Sequence, residues 1–364
     1  MKKYSFVFVF FVLIFLSNVA SASWKNVYQN VKDAYIGSIK IQDLASSALK
    51  GLNNIDKDLR VGSGAKTITL YYKGRVIDSL KKPDDENDAG KWAEITQRFI
   101  DKAIEKSAKA SENDFMIFDA MAKEMPKILD DDSKFFDNVD EAKGVILRNK
   151  RTFGARVENN ILVVKIVAFN KQTLNELKNA IGENINVDAI ILDLRGCAGG
   201  MSSEAISVAD LFLDDGIITS VQGRNKQEET YYTAKEDVVW KNKPIFIFVD
   251  ENTASAAEIL TAALKEQGIA KVIGSGTKGK GTMQKLIGLE TGSVLAITNS
   301  MFYTPANNEI NQRGVRPDIC TFELSDSYDI DNLLKRKDSF CHKQNRENEL
   351  LEYKIVLKLL KKDQ

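Results

Sequence analysis

The run Ile245-Phe-Ile-Phe-Val249 is apolar at every position, so a strand formed there needs cover on both faces. A strand with one face in water would alternate polar and apolar residues. Ala189-Ile-Ile-Leu-Asp-Leu194 and Ile161-Leu-Val-Val-Lys-Ile166 have nearly the same character, and helical stretches are read at Thr173–Ile181, Ser203–Phe212 and up to Leu264. Val272-Ile273 adds a short strand ending in the glycine-rich segment Gly274–Gly281, and further strands are expected at Val294–Thr298 and Ser300–Tyr303. Buried strands alternating with helices predict an α/β core, with a buried sheet and flanking helices, over residues 149–325.

Residues 23–148 read as a mainly helical N-terminal region with a small hairpin. Val27, Val31 and Tyr35, then Leu44, Ala48 and Leu49, give helical spacing across 24–60. Thr67-Ile-Thr-Leu-Tyr-Tyr72 predicts one hairpin strand turning near Gly74, and Lys81–Gly90, with Pro83 and many acidic residues, a surface loop. Ile95, Phe99, Ala103 and Ile104 mark an amphipathic helix from Trp92 to Ala110, and a second helix is expected from Phe115 towards Met125, before Pro126. Residues 326–364 form a charged C-terminal helical segment whose Ile355, Val356, Leu359 and Leu360 read as a packing face.

The first 22 residues have a different character. Lys2 and Lys3 precede an apolar run from Phe6 to Leu16, followed by Ala20-Ser21-Ala22. That order predicts a secretory signal peptide cleaved after Ala22, hence a periplasmic or secreted protein. The apolar run of 11 residues falls short of the roughly 20 that span a bilayer as a helix. Lys plus Arg and Asp plus Glu both number 51, which excludes a strongly basic nucleic-acid surface. Three cysteines are an odd count, so in an exported chain at least one is unpaired within the monomer. Cys197 reads as a small buried hydrophobe; a Cys320–Cys341 disulfide is permitted by the compartment but not dictated. Without a CxxC element no structural zinc site is expected.

The chain has one histidine, His342, in the charged tail. A Ser-His-Asp or Cys-His site would need it as base, and a site built on several imidazoles is excluded. Two segments offer another base. Ser255 stands among small residues, Ala254-Ser255-Ala256-Ala257, at the expected start of a helix whose first N–H groups lack internal partners. Lys280 lies between Gly279 and Gly281. A lysine serves as base near neutral pH only where burial or neighbours lower its pKa. Taken singly, such a serine is ordinarily a helix cap and such a lysine ordinarily solvated.

Together these segments resemble the C-terminal-processing, or tail-specific, serine proteases. Thr253-Ala-Ser255-Ala-Ala-Glu258 is similar to the family's nucleophile run, and Gly274-Ser-Gly-Thr277-Lys-Gly279-Lys280-Gly281-Thr-Met-Gln284 to its base segment, with Lys280 lying 25 positions beyond Ser255. Leu192-Asp-Leu-Arg195-Gly-Cys-Ala-Gly199-Gly200 resembles the family's strand exit, and Tyr303-Thr-Pro305 and Gly314-Val-Arg-Pro-Asp318 its closing strand and turn. The resemblance implies a ClpP/crotonase-like α/β core and a serine endopeptidase acting on exported or unfolded proteins, possibly near their C-termini. Ser255 would be nucleophile and Lys280 general base. Gln284, four residues beyond Lys280, would orient it if the segment is helical. Backbone N–H groups of Ala256 and of Gly199 or Gly200 would hold the oxyanion, while Asp193 and Arg195 would pair and hold loops together.

The sequence departs from the family at three places. Cys197-Ala198 replaces the usual Asn-Pro, Ala257 stands where a serine is common, and the interval from Ser133 to Phe153 is too short for a PDZ domain. Two other readings remain open: a non-catalytic peptide-binding or scaffold protein on the same fold, and a hydrolase of esters or cell-wall amides. No cofactor, metal or nucleic acid is expected; polypeptides are the expected partners, with a homo-oligomer or adaptor left open.

Overall fold

The computed structural model describes residues 23–142, 152–224, 229–235, 238–326, 328–335, 341–343 and 350–362; the expected signal peptide lies outside them. The chain divides into two compact units, one holding the described residues up to 142 together with 284–299, the other holding the rest.

In the first unit the helical spacing predicted over 24–60 resolves into α1 (residues 23–34), α2 (Ile41–Leu49) and a short turn of helix, and the chain then enters strand β1 (Leu59–Ser63). β1, β2 (Thr67–Tyr72) and β3 (Arg75–Lys81) form an antiparallel sheet. The β2–β3 turn falls at Lys73 and Gly74, both with positive φ, as a two-residue hairpin requires. Helix α3 (Ala89–Lys106) starts where the Asp88 carboxylate accepts the Lys91 N–H at 3.0 Å. It buries Trp92 and Phe99 against Trp24, Tyr28, Leu44 and Leu49. Helix α4 (Asp114–Ala122) and strand β4 (Lys134–Phe136) follow.

The second unit is built on a six-stranded sheet. Its members are β5 (Phe153–Glu158), β6 (Ile161–Ile166), β7 (Ala189–Asp193), β10 (Ile245–Val249), β11 (Ala270–Gly274) and β14 (Ile319–Cys320). In space they run β14-β11-β10-β7-β6-β5, all parallel except β5, which is antiparallel to β6. One face packs Leu162, Val164, Ile190, Leu192, Ile247 and Val249 among residues of α5 (Thr173–Glu183), α6 (Ser202–Asp210) and α7 (Ala256–Glu266). The other carries Ile161, Val163, Ile191, Phe246, Phe248 and Ile273 beneath α8 (Leu350–Lys362), the predicted C-terminal packing helix. This double cover explains why the strands are apolar throughout.

A second, antiparallel set contains β8 (Ile217–Gly223), β9 (Thr230–Thr233), β12 (Thr282–Gly288) and β13 (Val294–Tyr303). β12 and β13 carry the chain into the first unit and back. β13 pairs with β4 at Val294–Ala296 and with β8 at Ser300–Tyr303. The α/β core is as expected, but the ClpP/crotonase-like assignment is corrected. Apolar runs specify that a sheet is buried; they do not encode an antiparallel edge strand or a separate antiparallel set.

Candidate active site

Two strand exits and two loops make the site, all within the second unit. Asp250, the residue after β10, is buried, and its Oδ1 accepts the amides of Asn252 and Thr253, each at 3.0 Å, and that of Gly196 at 2.9 Å. Thr253 Oγ1 donates to the Leu194 carbonyl at 2.9 Å, and the Ala254 amide to that of Cys197 at 2.9 Å. The turn carrying the nucleophile candidate is thus stitched to the exit of β7.

Ser255 follows with φ 55° and ψ −118°, and α7 begins at Ala256. A non-glycine residue in that region is strained, and such strain concentrates at functional sites. The result is a sharp strand-to-helix elbow that sets a half-buried serine at a helix start. Its spacing was legible in the sequence; its strain was not.

Glu258, in the first turn of α7, is fully buried. Its Oε2 accepts the Ser255 amide at 2.8 Å and the Lys280 amide at 2.9 Å, and its Oε1 accepts the Gly279 amide at 2.6 Å and the Thr277 hydroxyl at 2.5 Å. One carboxylate therefore binds the backbone of both the nucleophile and base candidates. The Lys278 amide adds a bond to the Thr253 carbonyl at 3.0 Å. In the sequence Glu258 shows only as the last residue of the nucleophile run; its reach of 22 positions forward to Lys280 has no local signature.

Gly199 and Gly200 have φ of 99° and 132°. A β-carbon at Gly199 would sit 2.8 Å from the Ser255 β-carbon and 3.1 Å from the Ala256 nitrogen, so only glycine lets this loop lie against the elbow. Burial pushes the Cys197 thiol, two positions before Gly199, up to about 11. Cys197 is the buried free cysteine expected, and Cys320 and Cys341 form a disulfide.

Asp193 and Arg195 pair as expected: Arg195 Nε and Nη2 fork onto the two carboxylate oxygens at 2.9 and 2.8 Å. Burial would raise the Asp193 carboxyl, but this fork and the charges of Arg195 and Lys165 hold it below its usual value. His342 is exposed, and its carbonyl accepts the Gly276 amide at 3.0 Å at the start of the lysine loop. Gln284 lies half-buried on strand β12, where the chain enters the first unit, so the helical spacing anticipated from Lys280 does not form. Gly279 and Gly281 interrupt any helix, and the chain is extended from Thr282 onward.

The site is thus a serine on a strained elbow, with a lysine loop fastened to it by a buried carboxylate. The sequence profile of peptidase family S41 matches residues 160–321, the stretch that carries the site. This similarity to family S41 overturns the ClpP/crotonase-like assignment of the core.

Similar proteins include a carboxy-terminal-processing protease of Bartonella bacilliformis, 35% identical over 45% of this chain and 39% of its own. Another is the chloroplastic carboxyl-terminal-processing peptidase 2 of Arabidopsis thaliana, 36% identical over 43% of this chain and 30% of its own. Among solved structures, a photosystem II D1 C-terminal processing protease is 28% identical with a TM-score of 0.43, covering 46% of this chain and 47% of its own. The chain thus spans well under half the length of the curated relatives it matches.

Proposed function

We propose that this chain is a serine endopeptidase that cleaves polypeptides with Ser255 as nucleophile and Lys280 as general base. The observation that carries this reading is the Glu258 carboxylate holding the amides of Ser255 and Lys280 on one oxygen. In the reaction Ser255 Oγ attacks the scissile carbonyl and Lys280, as general base, takes its proton. The proton passes to the leaving amine as the peptide bond breaks, leaving an acyl-enzyme, and water then releases the acyl group. The Ala256 amide, first in α7, and the Gly200 amide are the proposed oxyanion donors. Gly199 shapes the hole by lying against Ser255 and Ala256, where a β-carbon would clash. Gln284 keeps the orienting role implied by the resemblance as a candidate, to be tested by Gln284→Ala.

The substrates are exported or unfolded polypeptides cut near their C-termini, in keeping with the processing roles named for the relatives. Export follows from the leader expected at residues 1–22, with cleavage after Ala22. The test compares cleavage of one denatured polypeptide by the wild type, Ser255→Ala and Lys280→Ala, with its C-terminus free and amidated. Both variants are expected to fold and to cut neither form. Wild-type turnover by Ser255→Ala would refute the mechanism, and equal cutting of the two forms would refute recognition of the chain end.

A further inference from the structure

Helix α8 covers one face of the large sheet with Leu351, Ile355 and Val356, yet between these apolar residues it buries a carboxylate. Glu352 has no exposed surface, and its Oε2 lies 3.4 Å from Arg195 Nη1. Its Oε1 accepts the Thr321 hydroxyl at 2.8 Å. A buried carboxylate is costly to dehydrate, and a helix needed only for packing would carry an apolar residue at such a position.

Both partners lead to the catalytic loops. Arg195 stands four positions before Gly199, the residue against the Ser255 elbow. The Arg195 carbonyl accepts Lys165 Nζ at 2.6 Å, and its guanidinium lies 5.0 Å from the Phe248 ring centre. On the other side, the Thr321 amide donates at 2.8 Å to the carbonyl of Gly274, the first residue of the glycine-rich segment that carries Lys280. Among the described residues, Lys165 and Arg195 face Asp193 and Glu352 in this cluster. Without the Glu352 charge, the Arg195 guanidinium loses one of the carboxylates that fix its plane.

We infer that Glu352, supplied by the C-terminal helix, is a positioning residue for catalysis. It acts through Arg195 on the glycine loop beside Ser255 and through Thr321 on the root of the Lys280 loop. The inference rests on the peptidase reading of the site. It makes the helix part of the catalytic apparatus, since misplacing reacting groups by about 1 Å costs on the order of 100-fold in rate.

The experiment uses the full chain and a denatured polypeptide substrate, with kcat and KM measured separately and folding followed by circular dichroism and thermal melting. Glu352→Gln keeps the shape and an acceptor for Thr321 but removes the charge. A folded Glu352→Gln protein with kcat lowered about 10- to 100-fold and KM within about twofold of wild type is the expected result. Glu352→Asp, which restores the charge, is expected to recover part of that loss. Wild-type kcat in folded Glu352→Gln, a change confined to KM, or a loss no larger than the unfolded fraction would each overturn the inference. If Glu352→Gln does not fold, Thr321→Val decides on the same criteria: lowered kcat at constant KM supports the inference, and wild-type kcat overturns it. An inactive wild type would instead remove the peptidase reading, and the positioning role with it.

Discussion

The Lys280 main-chain N–H donates to Glu258 Oε2 at 2.9 Å, and the Ser255 N–H reaches the same oxygen at 2.8 Å. Residues 25 positions apart are thereby held to a common point by a carboxylate with no access to water. Such charge-assisted bonds are shorter and roughly twice as strong as neutral ones, and a buried donor left without its acceptor costs about 1–3 kcal/mol.

Glu258→Gln should therefore uncouple the proposed nucleophile, Ser255, from the proposed base, Lys280. An amide offers one acceptor oxygen and one donor group, whereas four donors converge here. At least one donor then faces an NH2 group. We expect turnover to fall about 100-fold, equivalent to ~2.7 kcal/mol in the barrier, with the fold retained by circular dichroism. Wild-type turnover in the folded variant would contradict the coupling.

Ser255→Gly and Ser255→Ala should part in stability although both abolish cleavage. Ser255 sits at φ 55°, ψ −118°, which glycine adopts freely and alanine does not. Strain of this kind is worth about 1–3 kcal/mol, and glycine returns about 0.5–1 kcal/mol of it through its more flexible unfolded chain. Ser255→Gly is expected to be about 1 kcal/mol more stable than Ser255→Ala in denaturant melts. The opposite order would mean that the elbow stores no strain.

The Asp193 carboxyl is held below its usual value despite burial, because of Arg195 and Lys165. A depressed folded-state pKa gives stability that is fully present above the unfolded value of about 3.9 and is lost as pH falls through the lower folded value. Asp193→Asn should accordingly lose stability near neutrality, where Arg195 and Lys165 lose their counter-charge. It should also show a shallower decline than wild type below about pH 4. Denaturant midpoints measured from pH 7 down to the acid limb check both; parallel acid limbs would exclude Asp193 as a contributor.

The parts of the site carried by local spacing were readable in the sequence. Ser255, Lys280 and the paired glycines fall in contiguous runs, and the double cover of the sheet follows from apolar strands such as Ile245–Val249. Relations set by tertiary contact were not readable. Glu258 looks like a helix-start glutamate until the lysine loop folds back onto it. Gln284 suggested a helical neighbour of Lys280, but the chain is extended from Thr282, so four residues no longer mean one helical face. Leu59–Ser63 is a strand because Thr67–Tyr72 pairs with it, although the spacing before it continued a helical pattern. The ClpP/crotonase-like assignment came from the resemblance rather than from the residues themselves, and the match to family S41 overturns it.

The Cys320–Cys341 disulfide, with a separation of 21, anchors residues 341–343 on the lysine loop. There the Gly276 amide donates to the His342 carbonyl at 3.0 Å, and Lys343 Nζ donates to the Lys278 carbonyl at 2.5 Å. Closing a loop of that length stabilises by about 3 kcal/mol in the chain-entropy view. Opening it should also free the outer side of the segment that ends in Lys280. A Cys320→Ser, Cys341→Ser double variant is expected to lose about 2–4 kcal/mol of stability and to turn over several-fold more slowly with KM little changed. Dithiol treatment of the native protein should have the same effect on turnover. A thiol-alkylating reagent applied to the reduced native protein should modify Cys320 and Cys341 and spare Cys197, which is buried with its thiol pushed up to about 11. Wild-type melting and turnover in the double variant would show that the disulfide holds neither the fold nor the lysine loop.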